Sequence, residues 1–412
     1  MSEQVENQLK AVFDAMLERE FSGSRPPEPY ITPTGIVHLD AILGGGTGSS
    51  LPVMLSSAPE VGKSSIAVFL AKQFIERNSN SLVAYIDVET ASSGTSAKSG
   101  IKSRVKNMGI PEDRFQYAPM LLDVKGVYDV VKKYADMKKE MEDKLEAAGK
   151  GEEIRVLIII DSLASCPSSK TLTAEDPKEF IGLKARELGH ALDKLKPVLA
   201  FSKITLILID QVRANMQIAA GPFAKQDEKG VGVWNNIKSS SSSSVLQHNL
   251  KQWVYISKKK ELYPGSDINV DGWILDIRTE KNKLCPSGYS ISLVFDKHET
   301  LHKIYSEYLF MKEMTSTEQK YTGRKKEKLP YPLLVKDKGA YKKIVCIDPA
   351  TGNTVGESGT FYEKDLVKKY NGDPEFKEIF DWAIKTSVQE RINKFLLHHE
   401  DEIAIEEVIE EI

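Results

Sequence analysis

The chain has 412 residues and a formal net charge of −3; 41% of the residues are hydrophobic and 28% are charged, which is typical of a globular protein rather than a collagen-like or disordered one. No uncharged apolar run approaches the about 18 to 20 residues of a membrane span, so no membrane partner is expected. Cys166, Cys285 and Cys346 stand too far apart for a disulfide framework or zinc spacing, which predicts a reducing, cytoplasmic setting.

The N-terminal segment is predicted to form a short helical arm. Its polar start, MSEQVENQLK, does not resemble a secretory signal. Residues 5–19 place apolar side chains at helical spacing, and the segment SGSRPPEP then ends the helix. We therefore assign residues 1–30 to this arm.

The next part of the chain, residues 31–315, has the pattern of an α/β core. Short apolar runs typical of strands buried on both faces occur at 51–55, 82–86, 156–160, 204–209, 253–256 and 289–295. Helical stretches at 64–76, 125–147 and 178–197 lie between the first four runs. This alternation predicts an α/β fold with a mainly parallel central sheet and helices on both faces.

The C-terminal part is predicted to be a smaller α+β region over residues 316–399, entered through a linker after residue 315. It closes with a helix that Asp373 caps and that has Pro374 in its first turn. Residues 400–412 then form an acidic tail with seven of the 59 acidic residues, which leaves 52 acids against 56 Lys and Arg in the rest of the chain. Charge alone fits two interpretations: a tail that competes with a polyanion for a basic body, or a solvated helical terminus.

The sharpest chemical pattern lies where the first core strand meets the first core helix. The segment SAPEVGKSS follows the phosphate-loop pattern G-x-x-x-x-G-K-[ST], except that serine stands in the first glycine position. In such a loop Gly62 allows the tight turn, Lys63 reaches the β and γ phosphates, and the Ser64 hydroxyl is a magnesium ligand. A simple turn with an exposed lysine is the alternative. The candidate nucleotide-binding residues are Ser57, Ala58, Pro59, Glu60, Val61, Gly62, Lys63, Ser64 and Ser65.

Three other strands end in polar side chains that suit phosphate chemistry. Asp161 follows the third run and can hold magnesium through water, although a capping role is also open. Glu89, preferred over Asp87, can serve as the general base that polarises the attacking water, or it is a surface charge. Gln211, at the end of the fourth run, can sense the γ phosphate and pass its presence to the following loop.

Taken together, these segments resemble the RecA recombinases, and among them the phage branch typified by UvsX. The likeness covers residues 30–296 and rests on ITPTGIVHLDAILGGG, SAPEVGKSS, YIDVE, LIIIDSLAS, GLKARELGHALDKL, LILIDQVRANM and RTEKNK. It implies a DNA-dependent ATPase that uses ATP and Mg²⁺, forms helical filaments of itself on single-stranded DNA and exchanges strands with homologous double-stranded DNA. It also implies a loader and a single-strand-binding protein as partners, and the host cytoplasm if the chain is phage-encoded.

The resemblance also assigns roles to individual residues. Lys63, Ser64, Glu89, Asp161 and Gln211 fall on the phosphate, magnesium, catalytic and allosteric positions. The other matched positions are two lysines that reach ATP across the protomer interface and an arginine where the family has a tyrosine stacked on adenine: Lys281, Lys283 and Arg104. A solvated strand end and an ordinary helix surface charge are the respective alternatives. By similarity, the N-terminal arm packs on the next protomer.

DNA is expected to bind two loops, at about 164–184 and 212–244, because they follow the strands that carry Asp161 and Gln211. Hydroxyls and cations suit phosphate contacts, and apolar side chains can wedge or stack between bases. The candidate DNA-binding residues are Ser168, Ser169, Lys170, Arg186, Arg213, Asn215, Met216, Phe223, Trp234 and Lys238. A flexible insertion without DNA contacts is the alternative for the second loop.

A RecA-fold hexameric helicase and a non-hydrolysing ATP switch remain rival functions.

Overall fold

The computed structural model describes residues 25–50, 52–89, 100–169, 183–211, 248–263, 270–298, 300–321, 333–338, 341–347 and 353–396. Most of the predicted N-terminal arm, the whole predicted second DNA loop and the acidic tail lie outside these ranges. No helix in the described ranges combines the length and apolar character needed to cross a membrane.

Strands and helices alternate along the core. In chain order the described strands are β1 Ile31–Thr32, β2 Thr47–Gly48, β3 Val53–Ser57, β4 Ser81–Asp87, β5 Phe115–Pro119, β6 Arg155–Asp161, β7 Thr205–Gln211, β8 Gln252–Leu262, β9 Gly272–Asn282, β10 Ser290–Asp296, β11 Leu333–Lys338, β12 Tyr341–Ile347 and β13 Thr354–Glu357. The described α-helices are α1 Val37–Leu43, α2 Lys63–Arg77, α3 Gly100–Asn107, α4 Val124–Ala147, α5 Leu183–Ser202, α6 Lys303–Tyr321, α7 Leu366–Gly372 and α8 Pro374–Leu396.

Eight strands form the central sheet in the order β10-β9-β8-β3-β7-β6-β4-β5. The strands from β8 to β5 in this order run parallel to one another. Helices α2, α4 and α5 provide crossover connections of the kind that parallel neighbours need. β9 and β10 pair antiparallel at one edge. This sheet confirms the predicted α/β class with a mainly parallel sheet.

The sheet has a hydrophobic layer on each face, because successive side chains of a strand point to opposite faces. On β4, Val83 and Tyr85 join the layer under α1, α2, α3, α6 and α8, whereas Ala84 and Ile86 join the layer under α4 and α5. Helix α5 runs five residues past its predicted end at 197 and contains Pro197 in its interior. The carboxyl ends of β3, β4, β6 and β7 therefore share one edge of the sheet.

The C-terminal region has the predicted α+β composition, with the antiparallel sheet β11-β12-β13 and helices α7 and α8. The predicted linker after residue 315 is wrong for residues 316–321, which continue helix α6. Phe376 of α8 belongs to the same hydrophobic cluster as Tyr308 of α6 and Leu39 of α1, so this region shares a core with the sheet. The predicted cap of α8 is present: the Phe376 backbone N–H donates to Asp373 Oδ1 at 3.0 Å.

A buried acid on α6 predicts a pH dependence of stability. Glu307 is only 2% exposed, and burial raises its pKa to about 7; Lys303 opposes this shift and Asp381 of α8 adds to it. Because the folded state binds the proton more tightly than the unfolded state, Glu307 destabilises the fold as pH rises from 4.5 through about 7.

Glu307→Gln should therefore raise the free energy of unfolding at pH 8 by up to about 3 kcal/mol and leave it nearly unchanged at pH 4. Chemical denaturation at both pH values measures the difference. The exposed Glu378 of α8 provides the control substitution Glu378→Gln, which should show no such pH-dependent gain. An equal gain at both pH values would contradict the assigned ionisation.

Candidate functional site

The predicted phosphate loop connects β3 to α2. β3 ends at Ser57, and Gly62, with a left-handed φ of 111°, directly precedes α2. Glu60 also has a left-handed φ, of 58°, which the sequence pattern did not predict. Ser57 is a strand residue without a positive φ, so its Cβ adds no backbone strain where the motif has glycine. The replacement of glycine by serine is thus compatible with the loop.

Lys63 lies beneath this loop, with 7% of its surface exposed. Its Nζ donates to Ser57 Oγ and to the Ala58 carbonyl, both at 2.9 Å. Burial lowers the pKa of Lys63, whereas the carboxylates of Asp161, Glu89 and, more weakly, Asp210 act to raise it. The first turn of α2 contains no acidic residue, so the backbone N–H groups at its positive end and the ammonium of Lys63 both favour an anion beside the loop.

The first hydroxyl of α2 is tied to the end of β6. Ser64 Oγ donates to Asp161 Oδ2 at 2.7 Å, and the hydroxyl of Tyr85 on β4 donates to the same oxygen at 2.5 Å. Asp161 is 6% exposed, and burial raises its pKa while these two hydrogen bonds oppose the rise. The two residues predicted to hold magnesium are therefore in direct contact. The sequence analysis did not predict a role for Tyr85. The available signal was its position on a buried strand two residues before Asp87, which places both side chains on the same face of the sheet.

The predicted base and the predicted sensor are also in contact. Gln211 Nε2 lies 3.3 Å from both carboxylate oxygens of Glu89 and donates to them. Partial burial, followed by the negative charge of Asp161, raises the pKa of Glu89, while Gln211 and Lys63 act to lower it. The end of β7 and the residues just after β4 thus place an amide and a carboxylate side by side at the edge where the loop lies.

Asp87, the alternative to Glu89, is placed differently. It is 3% exposed, pairs in register with Asp161, and accepts a hydrogen bond from the Tyr117 hydroxyl at 2.7 Å. Glu89 lies two residues further along and is exposed. The arrangement favours Glu89 as the carboxylate that water can reach.

Lys281 and Lys283 lie at the opposite end of the sheet from the loop. β9 runs antiparallel to β8, and Lys281 pairs with Trp253, which pairs in turn with Met54 near the start of β3. About three residues of strand, roughly 10 Å, separate Met54 from Ser57. Both lysines therefore extend from the edge that faces away from their own chain's phosphate loop.

Arg104 lies on α3 within electrostatic reach of the site. Burial lowers the pKa of Arg104, whereas Tyr85 and Asp161 act to raise it. The guanidinium also lies beside Gly100, where an added Cβ would be 3.6 Å from its carbon. The predicted adenine contact of Arg104 stays a prediction.

The start of the predicted first DNA loop is held against α5. Lys184 Nζ donates to the carbonyls of Leu163 at 2.8 Å and Ala164 at 3.0 Å, and Glu187 accepts from the Ser169 backbone N–H at 2.9 Å. Ser168 is 4% exposed, so this conformation does not present its hydroxyl to a DNA strand, whereas Arg186 is exposed. The remaining candidates lie outside the described residues: Lys170, Arg213, Asn215, Met216, Phe223, Trp234 and Lys238.

No protein-family model matches the chain. It is similar to Protein RecA of Fusobacterium nucleatum (27% identical over 274 residues), of Geobacter sulfurreducens (23% over 284) and of Thermus thermophilus (26% over 226). The matches cover 62%, 64% and 53% of this chain and 66%, 75% and 57% of the three relatives. Together with the central sheet, they identify the core as a RecA-like α/β fold.

Proposed function

We propose that this chain is a RecA-family recombinase: a DNA-stimulated ATPase that assembles on single-stranded DNA and exchanges strands with a homologous duplex. The observation that carries the proposal is the convergence of Lys63, Ser64, Asp161, Glu89 and Gln211 at one edge of the sheet. Similarity to RecA proteins over 53% to 64% of the chain supports it. The phage branch, the loader and the single-strand-binding partner stay predictions of the sequence.

The residues at this edge fit ATP with Mg²⁺. The α2 N-terminus and Lys63 would hold the phosphates, and the oxygens of Ser64 and Asp161 would hold the cation, because Mg²⁺ prefers oxygen ligands and few protein groups. In the described ranges, no group of three or more His, Cys, Asp or Glu forms a separate metal site. When bound, Mg²⁺ neutralises charge on the phosphoryl oxygens during transfer.

Hydrolysis needs a base that water can reach. Glu89 supplies the carboxylate that takes a proton from the attacking water, and the amide of Gln211 holds that carboxylate in place through both oxygens. Because the pKa of Glu89 is raised, its carboxylate is a stronger base than an ordinary glutamate. Lys63 meets the negative charge that develops as the phosphoryl group is transferred.

The same contacts connect the nucleotide edge to the proposed DNA loops. Gln211 is the last residue before the predicted second loop, so a change in its contact with Glu89 acts directly on that segment. Asp161 precedes the segment that Lys184 and Glu187 hold against α5. Two strand ends therefore offer short routes by which nucleotide and DNA binding can exchange free energy.

The lysine pair points to nucleotide binding between copies of the chain. Lys281 and Lys283 cannot serve their own phosphate loop from the far end of the sheet, but a neighbouring copy can bring its nucleotide to them. Burial, followed by the charges of Lys283 and Lys196, lowers the pKa of Lys281. An incoming phosphate would offset this repulsion, which would make assembly depend on the nucleotide.

Replacing both lysines, Lys281→Met with Lys283→Met, should lower the DNA-stimulated ATPase rate at least about tenfold, because an unpaired phosphate charge at an interface costs a few kcal/mol. Binding of an ATP analogue by the dilute chain should be unchanged. The exposed Lys133 and Lys139 of α4 give the control pair Lys133→Met with Lys139→Met. An unchanged stimulated rate in the first pair would contradict the shared site.

Electron microscopy tests the proposed assembly most directly. Wild-type protein with single-stranded DNA and a slowly hydrolysed ATP analogue should form helical filaments, and single-stranded DNA should stimulate its ATPase activity. Closed rings that unwind duplexes without homology would instead identify a helicase. Nucleotide binding without hydrolysis, with or without DNA, would identify a switch protein and overturn the proposal.

A further inference from the structure

The hydroxyl of Tyr85 is a buried group that the proposed chemistry leaves unused. Tyr85 lies in the middle of the sheet with 0% of its surface exposed, and its ring packs 6.1 Å from Phe115 and 6.4 Å from Tyr117, centroid to centroid. Phenylalanine would fill the same space without bringing a polar atom into the core. A buried hydroxyl is costly unless it is hydrogen-bonded, so the partner of this one shows where it acts.

That partner is Asp161. Tyr85 pairs in register with Ile159 on the adjacent strand β6, two residues before Asp161, so the tyrosine and the aspartate stand on the same face of the sheet. The phenolic hydroxyl donates to Asp161 Oδ2 at 2.5 Å. The ring is long enough to reach from the apolar layer to the carboxyl end of the next strand.

Two donors meet at one oxygen of this carboxylate. Ser64 Oγ approaches Oδ2 from α2 and the Tyr85 hydroxyl approaches it from β4, whereas Oδ1 accepts no hydrogen bond from the described residues. This arrangement fixes the rotation of the carboxylate about its terminal bond. It also leaves the lone pairs of Oδ1 available to a ligand.

We infer that Tyr85 is a positioning residue for the magnesium carboxylate: by holding Oδ2 of Asp161, its hydroxyl orients Oδ1 toward the cation that accompanies the bound triphosphate. The inference rests on the proposed function. Removing a group that hydrogen-bonds to a metal ligand and orients it commonly lowers metal affinity or activity by about 10- to 100-fold. Tyr85 occupies that place for Asp161.

Tyr85→Phe deletes the hydroxyl and keeps the ring. Binding of a fluorescent, non-hydrolysable ATP analogue is titrated with Mg²⁺, so that the measurement does not depend on turnover. The Mg²⁺ concentration for half-maximal tightening should rise about tenfold in Tyr85→Phe, while affinity without Mg²⁺ stays at the wild-type value. Tyr117→Phe is the matched control, because it removes an equivalent hydroxyl that donates to Asp87, and its midpoint should not move.

A double-variant cycle separates positioning from general stability. If Tyr85 acts through Asp161, then Tyr85→Phe should cause no further change in the Mg²⁺ midpoint of Asp161→Asn. Thermal unfolding of all variants shows whether stability alone has changed. An unmoved midpoint in Tyr85→Phe overturns the inference alone, whereas wild-type protein that binds the analogue without any response to Mg²⁺ overturns the proposed function as well.

Discussion

Lys63→Ala is expected to lower ATP turnover by roughly 10²- to 10³-fold and to abolish nucleotide-dependent coating of single-stranded DNA. The Lys63 ammonium lies beneath the phosphate loop, where the carboxylates of Asp161, Glu89 and Asp210 act to raise its pKa. Without it the negative charge of the phosphates faces those carboxylates unopposed. A coupled ATPase assay and electron microscopy of DNA complexes measure the two losses.

The fold should survive this change. Burial already lowers the pKa of Lys63, so removing the ammonium relieves a desolvation cost in the nucleotide-free protein, and its melting temperature should not fall. Lys72→Ala is the control on the same helix, since Lys72 pairs with Glu76 at 3.6 Å, near the surface and away from the loop. Turnover and DNA coating that persist in Lys63→Ala would contradict the nucleotide site itself.

The architecture of the core was largely predictable from the sequence. Runs such as VLIII and ITLILI carry no charged residue, which is typical of strands buried on both faces, and the helical stretches between them favour parallel pairing. Because carboxyl ends of parallel strands meet at one edge, the same reasoning brought Asp161, Glu89 and Gln211 toward the phosphate loop. The hydrogen bonds from Ser64 to Asp161 and from Gln211 to Glu89 could not be predicted from this pattern.

Other features depend on contacts that no local pattern records. In the sequence, Tyr85 cannot be distinguished from any other aromatic residue of a buried strand. The hydrogen bond from its hydroxyl to Asp161 follows from the register of β4 against β6. The left-handed φ of Glu60 is set by the geometry of the loop. The linker was predicted to begin too early because polar residues can extend a helix such as α6 when its apolar face is already packed.

Under the proposed function, the contact between Glu89 and Gln211 connects the catalytic base to the predicted DNA loop, and a single substitution can test this connection. The Gln211 amide donates to both oxygens of Glu89, so a glutamine at position 89 can still accept one of these bonds through its carbonyl oxygen. The position of the side chain is then retained while its basicity is removed. Glu89→Gln thus removes the proposed base and leaves the contact with Gln211 in place.

Glu89→Gln should lower the DNA-stimulated hydrolysis rate by roughly 10²- to 10⁴-fold and leave binding of an ATP analogue unchanged. Because the nucleotide is no longer consumed, DNA complexes formed with ATP should persist and not dissociate. In the wild type, burial raises the pKa of Glu89 above 4.5, so hydrolysis should fall as pH drops through that raised value; the residual rate of the variant should lack this fall.

The exposed Glu76 of α2 supplies the control Glu76→Gln, which should hydrolyse ATP at the wild-type rate. Steady-state ATPase measurements with saturating single-stranded DNA, together with dissociation of labelled oligonucleotide, distinguish the outcomes. A Glu89→Gln protein that hydrolyses normally would move the base to Asp87 or to another group. Slow hydrolysis with rapid loss of DNA would instead show that Glu89 is needed for the ATP-bound state as well as for proton transfer.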